Sequence, residues 1–219
     1  MEIQQLAKTE IDCALQGRKE GAPIGSAPRE SYLVRHRLDS FERFNVEQFI
    51  ALEYYEHFDA NVTEFMPTLV SLHSADGALK AAVGYRAAAD GPLFLECYTN
   101  GPIEQVIASQ AGFEVSRREI VEVGSLACTG GRAAMEMVQS LIPALIEDGF
   151  SWVVFTGADT VRNVFRRLHL TPIALCIANK SVLGPKQAEW GTYYEHNPVV
   201  MAGPIAAGVA ALNVMRGTR

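Results

Sequence analysis

Residues 120–156 have the pattern of a strand, a glycine turn, a helix and a second strand. The first strand runs from Ile120 to Ala127, and the second, Ser151 to Thr156, is a continuous apolar run typical of strands buried on both faces. Between them, apolar residues recur at helical spacings of three and four, at Ala134, Val138, Leu141, Ile142, Leu145 and Ile146. Two strands joined through a helix lie parallel with a right-handed crossover. The chain is therefore predicted to contain a parallel strand pair in an α/β sheet.

The flanking segments predict the rest of an α/β fold, a mixed sheet covered by helices. Helices are predicted over residues 46–60, from Pro102 to Ala108, and from Val161 to Leu168 with Asp159 or Thr160 as cap. Strands are predicted at Thr68–Leu72, Leu79–Arg86, Pro92–Tyr98, Pro172–Ala178 and Gly191–Ala202. The length of 219 residues suits a single domain over residues 31–219, preceded by a polar arm at residues 1–30.

The composition indicates which kinds of partner and which cellular compartment suit the chain. The net charge of −6 does not suit nucleic acid, whose phosphates need clustered Lys and Arg. The four cysteines form no CxxC pair, which predicts no metal site and favours reduced thiols in the cytoplasm, and the N-terminus lacks the pattern of a signal peptide. Residues 199–215 carry no charge, but their Ala- and Gly-rich sequence indicates a strand end and a buried helix, without integral membrane contact.

The turn from Cys128 to Arg132 contains the glycine pair Gly130-Gly131 and joins the first strand to its helix. Glycines at such a junction let the backbone approach an anion closely, and the helix start adds free N–H groups and the positive end of the helix dipole. A pyrophosphate or a phosphopantetheine phosphate would suit this place. The alternative is an ordinary tight turn, because short Gly motifs often occur without a ligand. The residues alone leave both interpretations open.

Several segments together resemble the thermostable hemolysin family. They are Phe65 to Pro67, Val83 to Arg86, Leu93 to Tyr98 followed by Pro102 to Glu104, Val121 to Ala127, Trp152 to Thr156, Asn163 to Leu168, and Trp190 to Tyr194. That family is similar in turn to GNAT N-acyltransferases and to acyl-homoserine-lactone synthases. The resemblance implies a GNAT-like fold: a mixed, mostly antiparallel sheet with a central parallel strand pair, flanked by helices.

The resemblance also implies a function, the transfer of an acyl group from a thioester to the amine of a small acceptor, either an amino acid or a biosynthetic intermediate. The donor would be acyl-CoA or a phosphopantetheine-linked acyl carrier protein, with no tightly bound cofactor. It would lie between two splayed strands, the one ending at Ala127 and the one starting at Ser151. The implied donor-binding residues are Leu126, Ala127, Thr129, Gly130, Gly131, Arg132 and Ala133, together with Asn163 and Phe165 of the later helix. The assembly stays open between a monomer and a homodimer.

Three positions differ from the related enzymes. The turn after Ala127 is shorter than the usual GNAT pyrophosphate loop, which favours a carrier protein as an alternative to CoA. Phe165 replaces the tyrosine that often protonates the leaving thiolate, so the proton must come from another residue or from water. Ser125 stands where the lactone synthases have arginine, so lactone synthesis is not expected.

Glu122 and Glu96 are the candidate general bases, because each is a carboxylate inside a predicted apolar strand. Strand alternation places Glu122, Gly124 and Leu126 on one face, and Gly124 is expected to leave room for a ligand beside Glu122. The alternative for Glu122 is a structural ion pair with Arg86 or Arg117.

Two other classes of function compete with an acyltransferase. The family name suggests a hemolysin that damages membranes, although the sequence contains no long amphipathic or spanning segment. A catalytically inactive GNAT-like binding module is favoured by Phe165 and by the short glycine turn.

Overall fold

A computed structural model describes residues 30–217, and the seven strands in this range form one mixed sheet. The strands are β1 Tyr32–His36, β2 Thr68–His73, β3 Leu79–Ala87, β4 Ile120–Cys128, β5 Trp152–Gly157, β6 Ile173–Ile177 and β7 Val199–Pro204. Their order across the sheet is β1-β2-β3-β4-β5-β7-β6. β4 and β5 are parallel, and all other neighbours are antiparallel. This order confirms the predicted fold class, with the parallel pair inside a mostly antiparallel sheet.

Helices cover both faces of the sheet. Those within the described residues are α1 Arg43–Phe58, α2 Ile103–Ala111, α3 Gly131–Glu147, α4 Asp159–Arg167 and α5 Ile205–Gly217. α1 packs across β2, β3 and β4 and buries Val46, Ile50 and Tyr54. α3 packs on β3 and β4, where its Met137 and Leu141 form a separate apolar cluster. The core therefore has two layers, one on each side of the sheet.

The strand predicted at Pro92–Tyr98 is wrong, because Phe94–Cys97 form a 3₁₀ turn. The Leu93 N–H donates to the Glu96 carboxylate at 2.8 Å, and the Phe94 and Leu95 N–H groups donate to Glu122 at 2.9 Å each. These two side chains satisfy the amides that a strand would pair with a neighbouring strand.

Two further boundaries differ from the prediction, and one strand is new. α4 is preceded by Ala158 without a side-chain cap, and Asp159 lies in the first turn, paired with Arg162. The last strand starts at Val199 rather than Gly191, because Tyr193–His196 form a 3₁₀ turn before it. The edge strand β1 is not anticipated from its mixed polar and apolar sequence.

The two ends of the chain complete the description. The predicted arm at residues 1–30 lies outside the described residues apart from Glu30. At the other end, α5 follows β7 directly, as the sequence predicts, and Gly208 on α5 lies against the side chain of Ile142. Within residues 30–217, no helix is both long enough and apolar enough to cross a membrane.

Candidate active site

β4 and β5 pair only over the first part of their length. The register runs from Ile120 opposite Trp152 to Val123 opposite Phe155. β4 continues to Cys128 and β5 to Gly157, so the two strands separate beyond the last pair. This is the splay that the family resemblance implies.

A β-bulge at Ser125 changes which face of β4 the following side chains occupy. Gly84 of β3 is opposite Gly124, but Ala82 is opposite Ala127, so β4 has one extra residue, and Ser125 adopts a φ of 54°. After the bulge, Leu126 packs in the apolar cluster under α3, while Ala127 packs with the residues of α1. The prediction that Leu126 shares a face with Glu122 is therefore wrong, since the bulge interrupts the alternation.

An apolar cavity of about 160 Å³ opens where β4 and β5 separate. On one side of the sheet, α3, α5 and the strands beneath them form its wall, which includes Val123, Leu126, Leu141, Ile142, Val153 and Ala207. On the other side lie the rings of Tyr54, Phe58 and Tyr193. A space lined in this way suits an apolar chain rather than a charged group.

The aromatic wall of this cavity carries polar groups close to the splay. The rings of Tyr54 and Tyr193 stack with centroids 6.2 Å apart, and the Tyr193 hydroxyl donates to the Thr156 main-chain oxygen at 3.4 Å. Thr156 also lines the cavity, and its buried side-chain hydroxyl has no hydrogen-bond partner within residues 30–217. Sequence reasoning missed this wall, because Tyr54 and Tyr193 are far apart in the chain and each has the appearance of an ordinary core residue.

The glycine turn presents the amides of a helix start and lies in the chain between Leu126 and Met137, which both line the cavity. Gly131, Arg132 and Ala133 are the first residues of α3, and such amides have no acceptor within their own helix. The Thr129 amide is already used, since it donates to the Lys80 oxygen at 3.0 Å. A Cβ atom built on Gly131 would lie 3.9 Å from the Arg167 guanidinium and meet nothing closer. The turn therefore has both the amides and a cation that an anion would need.

The two predicted residues of α4 occupy different positions. Phe165 lines the cavity and stacks on Phe155, with ring centroids 4.6 Å apart and planes inclined by 18°. Asn163 lies on the exposed side of α4 and is not part of the cavity wall. Of these two residues, only Phe165 lines the cavity.

Glu122 is almost fully buried, with 3% of its surface exposed, and both its carboxylate oxygens are occupied by the Phe94 and Leu95 amides. Burial raises its pKa, and these two hydrogen bonds offset part of the rise. Gly124 lines the cavity, but the space directly over it is occupied by the flexible end of Met66, since a Cβ atom built on Gly124 would lie 2.7 Å from Met66 Cε. Glu122 itself does not line the cavity. The base role of Glu122 stays a prediction, and these contacts favour a structural role.

Glu96 is held in a network of ion pairs and hydrogen bonds away from the cavity. It receives the Arg117 guanidinium at 2.6 Å and the Ile103 amide at 2.8 Å, and Arg117 also pairs with Glu104 at 2.8 Å. Burial would raise the pKa of Glu96, but the hydrogen bonds from Arg117, Ile103 and Leu93 outweigh burial and lower the pKa to about 2. Such a carboxylate is a weak base at neutral pH.

The splayed parallel pair, the bulge in β4 and the helix that follows define a GNAT-like fold, which solved structures share. TofI in an apo form has a TM-score of 0.56 at 13% identity, over 83% of this chain and 96% of that one. The AHL synthase LasI has a TM-score of 0.55 at 11% identity, over 82% of this chain and 91% of that one. FeeM, an N-acyl amino acid synthase from uncultured soil microbes, has a TM-score of 0.54 at 15% identity, over 84% and 96%. At these identities the likeness establishes the fold alone.

The chain belongs to the thermostable hemolysin family, whose sequence model matches residues 37–209. This confirms the resemblance seen in the sequence segments. No curated protein matches the chain.

Proposed function

We propose that this protein is an acyltransferase that moves an acyl group from an acyl-CoA or acyl-carrier-protein thioester to the amine of a small acceptor. The observation that carries the proposal is the apolar cavity between the separated ends of β4 and β5, with the amides at the start of α3 lying in the chain between Leu126 and Met137 of its wall. A thioester donor has the same two parts, a charged phosphate end and an apolar acyl end. We place the reaction in the cytoplasm, where thiols stay reduced.

The donor's phosphates would bind at the turn. The Gly131, Arg132 and Ala133 amides, with Gly130 before them and Arg167 close by, offer hydrogen-bond donors and positive charge. The pantetheine arm would follow β4 along Leu126 and Ala127, where β4 has no strand partner on the β5 side. Thr129 and Asn163, which the family resemblance adds, would contribute at most through their side chains, because the Thr129 amide is engaged and Asn163 is exposed.

The acyl chain would fill the cavity under α3 and α5. Its walls on that side are aliphatic, and burying a chain against them contributes about 0.8 kcal/mol for each methylene group. Phe165 closes one side of this space and carries no proton to donate. Tyr54, across the split, has a pKa raised by burial and by its neighbours Cys128 and Tyr194, so its phenol keeps its proton and can donate a hydrogen bond to the leaving sulfur.

The acceptor would approach from the face covered by α1. The name of FeeM, an N-acyl amino acid synthase, makes amino acids the first acceptors to try. In this proposal a homodimer is not needed, since the cavity and the turn are formed within one chain.

Gly131→Val is expected to weaken donor binding about tenfold or more, equivalent to about 1.4 kcal/mol, while the fold persists. The added Cβ meets only the flexible end of Arg167, but the two methyl groups occupy the space where phosphate oxygens would approach the amides. The measurement is the dissociation constant of octanoyl-CoA, from thermal shift and calorimetry. Gly131→Ala is the control for the fold, and unchanged affinity in the valine variant would contradict a donor site at this turn.

A protein that itself damages membranes would make lipid vesicles leak, and we expect no such leakage. Purified protein without substrate is expected to leave vesicles of pure lipid intact, because the most apolar described helix, α5, is short and rich in Ala and Gly. The measurement is the release of an encapsulated dye over a range of protein concentrations. Rapid leakage would show that the chain itself damages membranes.

A further inference from the structure

Thr156 holds an unsatisfied hydroxyl group in the wall of the cavity. In the part of the chain that the structure describes, Thr156 Oγ1 is the only buried side-chain nitrogen or oxygen atom without a hydrogen-bond partner. Thr156 belongs to β5 and is one of the residues that line the cavity. A buried hydroxyl that makes no hydrogen bond costs free energy, and folded proteins contain few of them. This hydroxyl therefore needs a partner that the chain does not supply, and a ligand in the cavity would supply it.

Thr156 lies at the point where β4 and β5 separate. The last residue of β5 that pairs with β4 is Phe155, opposite Val123, and Thr156 is the next residue. On its other side Thr156 still pairs with Val200 of β7, and its main-chain oxygen accepts a hydrogen bond from the Tyr193 hydroxyl at 3.4 Å. The end of β5 is therefore held in place by other neighbours, while on the side of β4 it has no strand partner.

The thioester of a bound donor would lie at the same point. In the proposed binding mode the pantetheine arm follows Leu126 and Ala127 of β4, and the acyl chain fills the space under α3 and α5. The thioester joins these two parts of the donor, so it would cross the opening between β4 and β5. Its carbonyl oxygen is a hydrogen-bond acceptor, and the Thr156 hydroxyl has a proton to donate.

Acyl transfer places a negative charge on that carbonyl oxygen in apolar surroundings. Among the described residues, no charged side chain lines the cavity, so its wall offers hydroxyl and main-chain N–H groups to an oxyanion. Of the threonines in this wall, Thr160 and Thr171 are exposed to solvent, whereas the Thr156 hydroxyl is shielded from it. A hydrogen-bond donor that is kept away from water and is in place before the reaction stabilises a developing charge most effectively.

We propose that Thr156 donates a hydrogen bond to the thioester carbonyl oxygen and stabilises the oxyanion that forms there during acyl transfer. The inference rests on the proposed function and names a catalytic residue of that same site.

The proposed step is balanced in atoms and charge. The acceptor amine, neutral after its ammonium proton has passed to water, forms the C–N bond, and the electron pair of the C=O double bond moves to oxygen. The Thr156 hydroxyl stabilises this oxyanion and keeps its own proton. The oxyanion then collapses, and the C–S bond breaks with its electron pair on sulfur. The nitrogen loses one proton and the sulfur gains one, so the products are an amide and a thiol.

The test is Thr156→Val, which replaces the hydroxyl by a methyl group and keeps the main-chain oxygen that Tyr193 contacts. The donors are octanoyl-CoA and octanoyl-acyl carrier protein, and the acceptors are the common amino acids and hydroxylamine. We expect kcat to fall about a hundredfold to a thousandfold with every pair that the parent uses, while the KM of the donor stays within about threefold. Tm should be unchanged or higher, because the variant no longer buries a hydroxyl without a partner.

Two further variants make the test specific. Thr156→Ser keeps a hydroxyl at this position and should retain about a tenth or more of the parent's kcat. Thr63→Val is the matched control, at an exposed position between α1 and β2 that does not line the cavity, and it should keep the parent's rates.

A kcat within about tenfold of the parent in Thr156→Val would overturn the role of Thr156 and leave the acyltransferase proposal standing. A loss with 3-oxooctanoyl-CoA but not with octanoyl-CoA would also overturn it, because the hydroxyl would then bind an oxygen atom of the acyl chain. A loss accompanied by a lower Tm would do the same, since it would indicate a structural effect. If the parent transfers neither acyl donor to any acceptor, the acyltransferase proposal is contradicted, and this one with it.

Discussion

Gly191→Ala is expected to destabilise the fold by about 3 kcal/mol or more. The reason is that main-chain atoms at the end of α1 occupy the place where the new Cβ atom would lie. Gly191 adopts φ 46° and ψ −124°, a conformation that residues with a Cβ atom rarely adopt. A Cβ atom there would overlap the main-chain oxygen of Phe58 and lie 2.5 Å from that of Asp59. Backbone atoms cannot rotate away, so the end of α1 would have to move. The Thr192 amide, which donates to Phe58 at 2.7 Å, would lose its partner.

Gly184→Ala separates backbone strain from overlap. Gly184 has nearly the same conformation, φ 55° and ψ −129°, but nothing lies within 4 Å of an added Cβ atom. Strain of this kind costs about 1–3 kcal/mol. We therefore expect a clearly smaller loss for Gly184→Ala than for Gly191→Ala, whose Tm should fall by about 6–12 °C or more. Equal shifts in Tm for the two variants, measured by thermal unfolding, would contradict the close contact between Gly191 and α1.

Local sequence patterns predicted the parallel pair, because each of its parts depends on neighbouring residues. The apolar run at Ser151–Thr156 and the spacing of Val138, Leu141 and Leu145 are local signals, and two strands joined by a helix have essentially one arrangement. The glycine turn was recognisable for the same reason. The family resemblance then supplied the splay of the two strands, which no local pattern contains.

The predictions that differ from the structure do so because of contacts between residues that are far apart in the sequence. Phe94–Cys97 are a 3₁₀ turn because their amides reach a carboxylate from β4, and a pattern read along the chain contains no trace of that contact. Likewise, the end of the Met66 side chain, from another part of the chain, lies over Gly124 at the edge of the cavity. The bulge at Ser125 reverses the alternation at the point where the site begins. For both candidate bases, the carboxylate in an apolar segment proves to accept several hydrogen bonds, and the base role stays a prediction.

Glu122→Gln is expected to lower the free energy of unfolding by about 1–3 kcal/mol, with Tm falling by several degrees. A carboxylate accepts hydrogen bonds at both oxygens, but glutamine has one oxygen and one NH₂ group. In the variant, either the Phe94 or the Leu95 amide would face an NH₂ group and lose its acceptor in a buried site. The 3₁₀ turn that these amides hold should loosen first, and hydrogen exchange at Phe94 and Leu95 should report it.

The pH dependence and a control make this test specific. Because burial raises the pKa of Glu122 in the folded state, the folded protein holds this proton more tightly than the unfolded chain. The difference in the free energy of unfolding between the parent and the glutamine variant should therefore become smaller as the pH rises above 4.5, the usual pKa of a glutamate. Glu119→Gln, at an exposed position just before β4, should leave stability unchanged. The rate of acyl transfer by folded Glu122→Gln, measured below its Tm, should stay within about tenfold of the parent, whereas a hundredfold loss at unchanged stability would make Glu122 the base after all.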